Sequence, residues 1–177
     1  MKLVIINGLP GTGKTTIAKP LADKLNFPLI AKDTVKEFLF DTIGTGDREW
    51  SKILGKASSE FIYNLTDDLL SKGYSVVIES AFELSFAKPI IQSYIDKYNA
   101  DVFEIYCFTQ KKIRRQRFEA RNKSGERHIG HNDHVNYLSN DEDEPIEKYS
   151  AIGLGKQIRL DTTLTQINVD SLIKEIK

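Results

Sequence analysis

The residues with the most specific chemistry form one short run, Gly8-Leu9-Pro10-Gly11-Thr12-Gly13-Lys14-Thr15, which meets the spacing G-x-x-x-x-G-K-[ST]. Its glycines allow backbone angles closed to other residues and keep side chains out of the way, so successive peptide N–H groups can turn inward as an anion-binding nest. A helix starting at Lys14 adds the positive end of its dipole. Lys14 brings a full charge to the β- and γ-phosphates of a nucleotide, and the Thr15 hydroxyl suits Mg²⁺, a hard cation that takes oxygen ligands. Gly8, Gly11, Thr12, Gly13, Lys14, Thr15 and Thr16 are therefore the expected nucleotide-binding set, and a nucleoside triphosphate, ATP or GTP, with Mg²⁺ the expected ligands.

Two carboxylates and a group of arginines extend this set. Asp33 follows the apolar run Pro28-Leu29-Ile30-Ala31 and Glu79 follows Ser75-Val76-Val77-Ile78, so both fall where strands end. Ligands of open α/β sheets bind at that carboxyl edge. A carboxylate there can orient or deprotonate an attacking hydroxyl, the role expected of Asp33, which is also positioned to cap a helix from Thr34. Glu79 is expected to hold magnesium or contact the acceptor. Five of the seven arginines lie between 114 and 127. Arg117 and Arg121 are four apart on one helix face and can reach one target, and guanidinium forks match phosphate oxygens. Arg114 and Arg115 read as a solvated basic face. His128, His131 and His134 cluster around Asp133, but the lack of nearby cysteine and the helix-disfavouring Gly130 argue against zinc.

The elements that must position these groups alternate along the chain. Leu3–Ile6 reads as a buried strand, residues 14–25 as a helix interrupted by Pro20, 28–31 as a second strand and 34–42 as a helix. Trp50, Ile53, Leu54, Ala57, Phe61, Leu65 and Leu69 recur at helical spacing and predict a long helix ending near Gly73. A third strand ends at Glu79. A helix then follows over 85–98, with Pro89 near its first turn, then a strand over 102–108 and a basic helix over 111–121. Residues 122–140 read as a polar loop, Asp141–Glu144 as a solvated acidic run, Ile158–Leu160 as a short fifth strand and the stretch from Val169 as a helix. Alternation of this kind predicts a three-layer αβα domain on a mainly parallel five-stranded sheet, with an arginine-rich lid over about 111–135.

Bulk composition narrows the function classes. The 177 residues suffice for one domain with a full core. Twenty-five basic residues balance 25 acidic ones, without the excess of a nonspecific nucleic-acid binder. A lone cysteine, Cys107, leaves no intrachain disulfide, and no apolar run approaches a membrane span, so a soluble cytoplasmic protein is expected. Asn122-Lys123-Ser124-Gly125 opens like a guanine-reading sequence but lacks its aspartate, which argues against a GTPase.

The sequence resembles the P-loop small-molecule kinases that include the zeta-toxin and chloramphenicol phosphotransferase types and the bacterial "AAA domain" kinases. The resemblance covers most of residues 2–162. It rests on the Gly8–Thr15 loop, Ala31-Lys32-Asp33-Thr34-Val35-Lys36, Val76-Val77-Ile78-Glu79-Ser80, and Arg117-Phe118-Glu119-Ala120-Arg121 followed by Gly125-Glu126-Arg127-His128. It implies that Asp33 contacts an acceptor hydroxyl and that Arg117, Arg121 and Arg127 contact ATP phosphates. Lys36, Glu79, Arg127 and His128 are expected beside Asp33 as substrate-binding residues. Such kinases often carry aspartate where Glu79 stands, arginine where Lys36 stands and proline where Ile129 stands. The resulting expectation is Mg²⁺-dependent transfer of the γ-phosphate of ATP to a hydroxyl of a small molecule. The acceptor is expected between the helices at 34–42 and 50–71, with Phe82 or Trp50 in the wall. The alternatives are a nucleoside or nucleotide kinase, a nucleic-acid end kinase disfavoured by the charge balance, and a non-enzymatic protein whose partners are switched by ATP.

Overall fold

The computed structural model describes residues 1–125, 127–131, 146–164 and 167–177. Glu126, Asp133, His134, the end of the expected lid and the acidic run 141–144 lie outside them. Strands β1 (Lys2–Asn7), β2 (Leu29–Ala31), β3 (Val76–Glu79), β4 (Asp101–Phe108) and β5 (Lys156–Asp161) form one sheet in the order β2-β3-β1-β4-β5. All four pairings are parallel. Leu3, Val4, Ile5 and Ile6 are wholly buried, as expected of a central strand covered on both faces.

Helices α1 (Lys14–Leu25) and α6 (Val169–Ile176) cover one face, and α3 (Arg48–Ser71) and α4 (Leu84–Tyr98) the other. Helix α2 (Lys32–Ile43) leaves the end of β2 and packs on α3, while α5 (Lys111–Ser124) follows β4. The chain crosses from β3 over β1 to β4, so the strand order reverses beside β1. That reversal opens a crevice at the carboxyl edge of the sheet. The register aligns Ile6 and Ala31 with Glu79, bringing the ends of β1, β2 and β3 level there. Cys107 is a buried core residue whose thiol burial pushes up to about 12. Among the described residues, no helix is long and apolar enough to cross a membrane.

Several sequence expectations need correction. Helix α2 starts at Lys32, not Thr34, and its cap position is Ala31 with no side-chain cap, so Asp33 lies inside the first turn. Pro89 is the sixth residue of α4, beyond its first turn, and Ser85–Pro89 forgoes a helical hydrogen bond. Helix α5 continues to Ser124, and Ile129–His131 form a short 3₁₀ turn where loop was expected.

The inward face of α3 is also different. Of the seven apolar positions used to identify this helix, only Leu54 is fully buried, and Ile53 and Phe61 are exposed. The buried line is Ser51, Leu54, Gly55, Ser58, Ile62, Thr66 and Leu70. The Ser58 hydroxyl donates to the Leu54 carbonyl and Thr66 to that of Ile62, each at 2.7 Å. These bonds inside the helix satisfy the hydroxyls and make them buriable.

Candidate active site

The glycine-rich loop sits between β1 and α1, and its first residue cannot carry a side chain. Gly8 has φ 140°, and a Cβ there would collide with the Cys107 carbonyl on β4. Asn7 fixes the loop from behind. Its Oδ1 accepts from Gly8 N at 2.7 Å and Phe82 N at 3.1 Å, while its Nδ2 donates to Glu104 Oε1 at 3.0 Å. Fully buried Glu104 also accepts from Ile152 N at 2.8 Å and Gly153 N at 3.0 Å. A buried carboxylate is tolerated because several donors surround it. This network joins the phosphate loop to the loops after β3 and before β5. It went unseen in the sequence because β4 reads as a continuous buried strand.

Pro10, Gly11, Gly13, Lys14, Thr15 and Thr16 form one wall of a cleft of about 460 Å³. Gly8 and Thr12 stand behind that wall, Thr12 closing the turn through its hydroxyl to the Leu9 carbonyl at 2.8 Å. Lys14 is buried and donates to the Leu9 carbonyl at 3.1 Å. Burial lowers its pKa, with Glu79 and Asp33 opposing the shift.

Asp33, Lys36, Glu79, Arg117, Arg121 and Arg127 line the same cleft. Arg117 donates to the Thr162 carbonyl at 2.6 Å, which holds α5 beside the loop. The Arg121 guanidinium lies 5.6 Å from the Phe118 ring. Arg114 rests its side chain over Gly11, and Arg115 pairs with Glu119 on the solvent side of α5.

Thr15 Oγ1 lies 3.2 Å from Glu79 Oε2. Burial raises the Glu79 carboxyl, against the pull of Lys14. A hydroxyl and a buried carboxylate side by side are the oxygen donors a magnesium ion takes, so these residues fit that ion. Among the described residues, no three His, Cys, Asp or Glu side chains gather as a metal-binding group.

Asp33 Oδ2 accepts from Arg127 Nη1 at 2.7 Å, while 49% of the Asp33 side chain stays exposed toward the cleft. Burial alone would push this carboxyl up, but the Arg127 guanidinium, by charge and hydrogen bond, and then His131 and Lys14, hold it down to about 2. Asp33 begins an acidic row along α2 that grips the segment after α5. Glu37 is 2.9 Å from His131 Nε2 and 3.7 Å from Arg127, and Asp41 is 3.1 Å from His128 Nε2. His128 stacks on Phe40 at 5.1 Å and lines neither this cleft nor the next, so the structure does not bring it to the site as expected. Buried His131 lines both. Burial, then the Arg127 charge, lowers its pKa to about 3, so at neutral pH it is uncharged and Nε2–H donates to Glu37.

A second cleft of about 650 Å³ opens between α2, α3 and the loop after β3. Both clefts are lined by Lys32, Lys36, Ser80, Ala81, His131 and Tyr149, so they adjoin. Phe82 is in the wall of the second, but Trp50 is not; its Nε1 instead donates to the Gly44 carbonyl at 2.9 Å.

The sequence profile of the zeta toxin family matches residues 2–144. The chain belongs to this family. Among solved structures, a candidate kinase from Chloroflexus aurantiacus is 30% identical, with a TM-score of 0.88 over 99% of this chain and 96% of that one. The APS kinase of Mycobacterium tuberculosis, solved with AMPPNP and APS, is 17% identical with a TM-score of 0.59, covering 99% and 94%. Shikimate kinase from Acinetobacter baumannii, solved with shikimate, is 14% identical with a TM-score of 0.53, covering 99% and 90%. At such identities the last two speak for the fold alone. No functionally curated protein matches the chain. This zeta-toxin-family chain thus has a P-loop fold of the kinase type.

Proposed function

We propose that this chain is a single-domain ATP-dependent phosphotransferase that moves the γ-phosphate to a hydroxyl of a small molecule. The observation that carries this reading is the meeting of two clefts along Lys32 and Lys36, next to Asp33 in the first of them. One has the loop, Lys14 and three arginines; the other adjoins it through the first two turns of α2. A protein merely switched by ATP needs only the first. The neutral net charge favours a small-molecule acceptor over nucleic acid.

The triphosphate would lie along the loop, with Lys14, Arg117 and Arg121 around its β- and γ-oxygens. Magnesium, held by Thr15 and Glu79, would supply charge neutralisation on the same oxygens. The acceptor hydroxyl oxygen attacks the γ-phosphorus while the bond to the β,γ-bridging oxygen breaks. ADP leaves, and the hydroxyl proton passes to Asp33 and then to solvent. A carboxyl held down to about 2 is a weak base, so Arg127 has to leave Asp33 before it serves. Phosphate oxygens in the same cleft would compete with Asp33 for Arg127, which links ATP binding to release of the base. The arginine-bearing segment from 111 through 131 would then act as a lid that excludes water.

A transfer screen from γ-labelled ATP to a library of hydroxyl compounds, run on wild type and Asp33→Asn, tests this reading. The expected result is transfer by wild type and a loss of about 10²–10⁴-fold in the variant with ATP affinity retained. Equal rates would overturn the role of Asp33. Tight ATP binding with no transfer to any compound would overturn the kinase assignment.

A further inference from the structure

The cleft between α2 and α3 has a charge that the whole chain lacks. Its lining includes Lys32, Lys36, Arg48, Lys52 and Lys56, against Glu60 and Glu83. Glu83 is paired with Lys148 at 2.9 Å, and Lys52 with Glu49, outside the lining, at 2.7 Å. His131 adds no charge at neutral pH. The chain as a whole balances 25 basic against 25 acidic residues, so this concentration is local.

The arrangement follows from helix geometry. Lys32 and Lys36 are four apart on α2, one position behind the acidic row, and face the cleft. On α3, Arg48, Lys52 and Lys56 form one row along the rim. Ser51, Gly55 and Ser59 form the adjacent row, and their small side chains leave the space. Lys36 is steadied by the Ser51 hydroxyl at 2.9 Å and by the Phe40 ring at 5.3 Å. Lys32, where the two clefts meet, makes no hydrogen bond or ion pair among the described residues. Beneath the cations lies an apolar floor that includes Ile62, Tyr63, Phe82 and Phe86.

We propose that the acceptor is a small hydroxyl compound bearing an oxyanion, phosphate or carboxylate, held by the cations of α2 and α3 while its carbon skeleton lies on the apolar floor. This rests on the phosphotransferase reading for the word acceptor, but not for the binding of the anion. Cations gathered over a low-dielectric floor focus positive potential into the cleft, where an anion can pair with them. A cleft of this volume suits a ligand of small-metabolite size.

The test loads the protein with Mg²⁺ and a non-hydrolysable ATP analogue, which removes the phosphate loop as a competing anion site. Calorimetry then compares matched pairs: a hexose with its 6-phosphate, a hexose with its aldonic acid, and glycerol with both glycerol 3-phosphate and glycerate. The phosphate and carboxylate arms identify which oxyanion is preferred. At least one charged member should bind more tightly than its neutral counterpart. The double variant Lys52→Gln/Lys56→Gln should weaken that binding about tenfold while leaving affinity for the ATP analogue unchanged. Neutral members binding as well as charged ones, no charged member binding at millimolar concentration, or a double variant binding like wild type would overturn the proposal. A parallel transfer assay with ATP separates the two readings. Charged compounds that bind without being phosphorylated sustain this inference and count against the kinase reading. Transfer confined to neutral members does the reverse.

Discussion

The P-loop cleft and the α2–α3 cleft share a border but are supported differently. The first is built from backbone at the ends of strands, with Gly8 pressed against β4 and Asn7 tied to buried Glu104. The second is built from side chains on the faces of two helices, around the small residues Ser51, Gly55 and Ser59. Backbone geometry leaves few alternatives for binding a triphosphate. Helix faces can be redecorated one residue at a time. On the proposed function, the ATP site is thus the rigid one and the acceptor site the adjustable one.

Four measurements put that contrast to the test. Lys14→Met should lower transfer by about 10²–10³-fold, read as kcat/KM for ATP, because its charge is preset where negative charge develops. On α3, Leu54→Ala should cost about 2–5 kcal/mol in urea unfolding, whereas exposed Ile53→Ala should stay within about 0.5 kcal/mol. Equal losses at the two positions would return the buried face to the one that hydropathy predicts.

The two glycines should respond with opposite signs. Gly8→Ala should cost about 1–3 kcal/mol and impair ATP binding, from its positive φ and its contact with β4. At Gly55 a Cβ meets only Lys36, at 3.6–3.7 Å, an ordinary contact, so Gly55→Ala should stabilise α3 by up to about 1 kcal/mol. Its penalty should fall on acceptor KM alone.

A last effect concerns pH. The His131 pKa is lowered to about 3 from its ordinary 6.5, so between those values the unfolded chain binds the extra proton. Its contribution to stability is full above about pH 6.5 and declines as pH falls toward 3. Comparing urea midpoints of His131→Asn and wild type from pH 7 to pH 5 should show a shallower decline in the variant.

The same division governs what could be read in the sequence. The loop was legible because its chemistry is contiguous, and β1 because four wholly buried apolar residues stand in a row. Glu79 was legible because it directly ends a strand. The inward face of α3 was not, because Ser58 and Thr66 are buried through hydroxyl bonds to their own helix, which hydropathy scores as polar. Asp33 was correctly sited at the sheet edge but misread as a cap, since its partner Arg127 lies 94 residues away. Neither Glu104 nor the basic lining of the α2–α3 cleft has a local signature. Both depend on residues that only the fold brings together.

The two rows on α2 have a consequence for how such a protein can change. Asp33, Glu37 and Asp41 hold the segment that follows α5, while Lys32 and Lys36, one residue back, line both clefts. One rigid helix thus presents two surfaces that can vary separately. Replacing Lys32 or Lys36 alters which molecules the cleft admits and leaves every acidic partner of Arg127, His128 and His131 in position. On the proposed function, acceptor preference can therefore change through single substitutions that leave the acidic row of α2 in place.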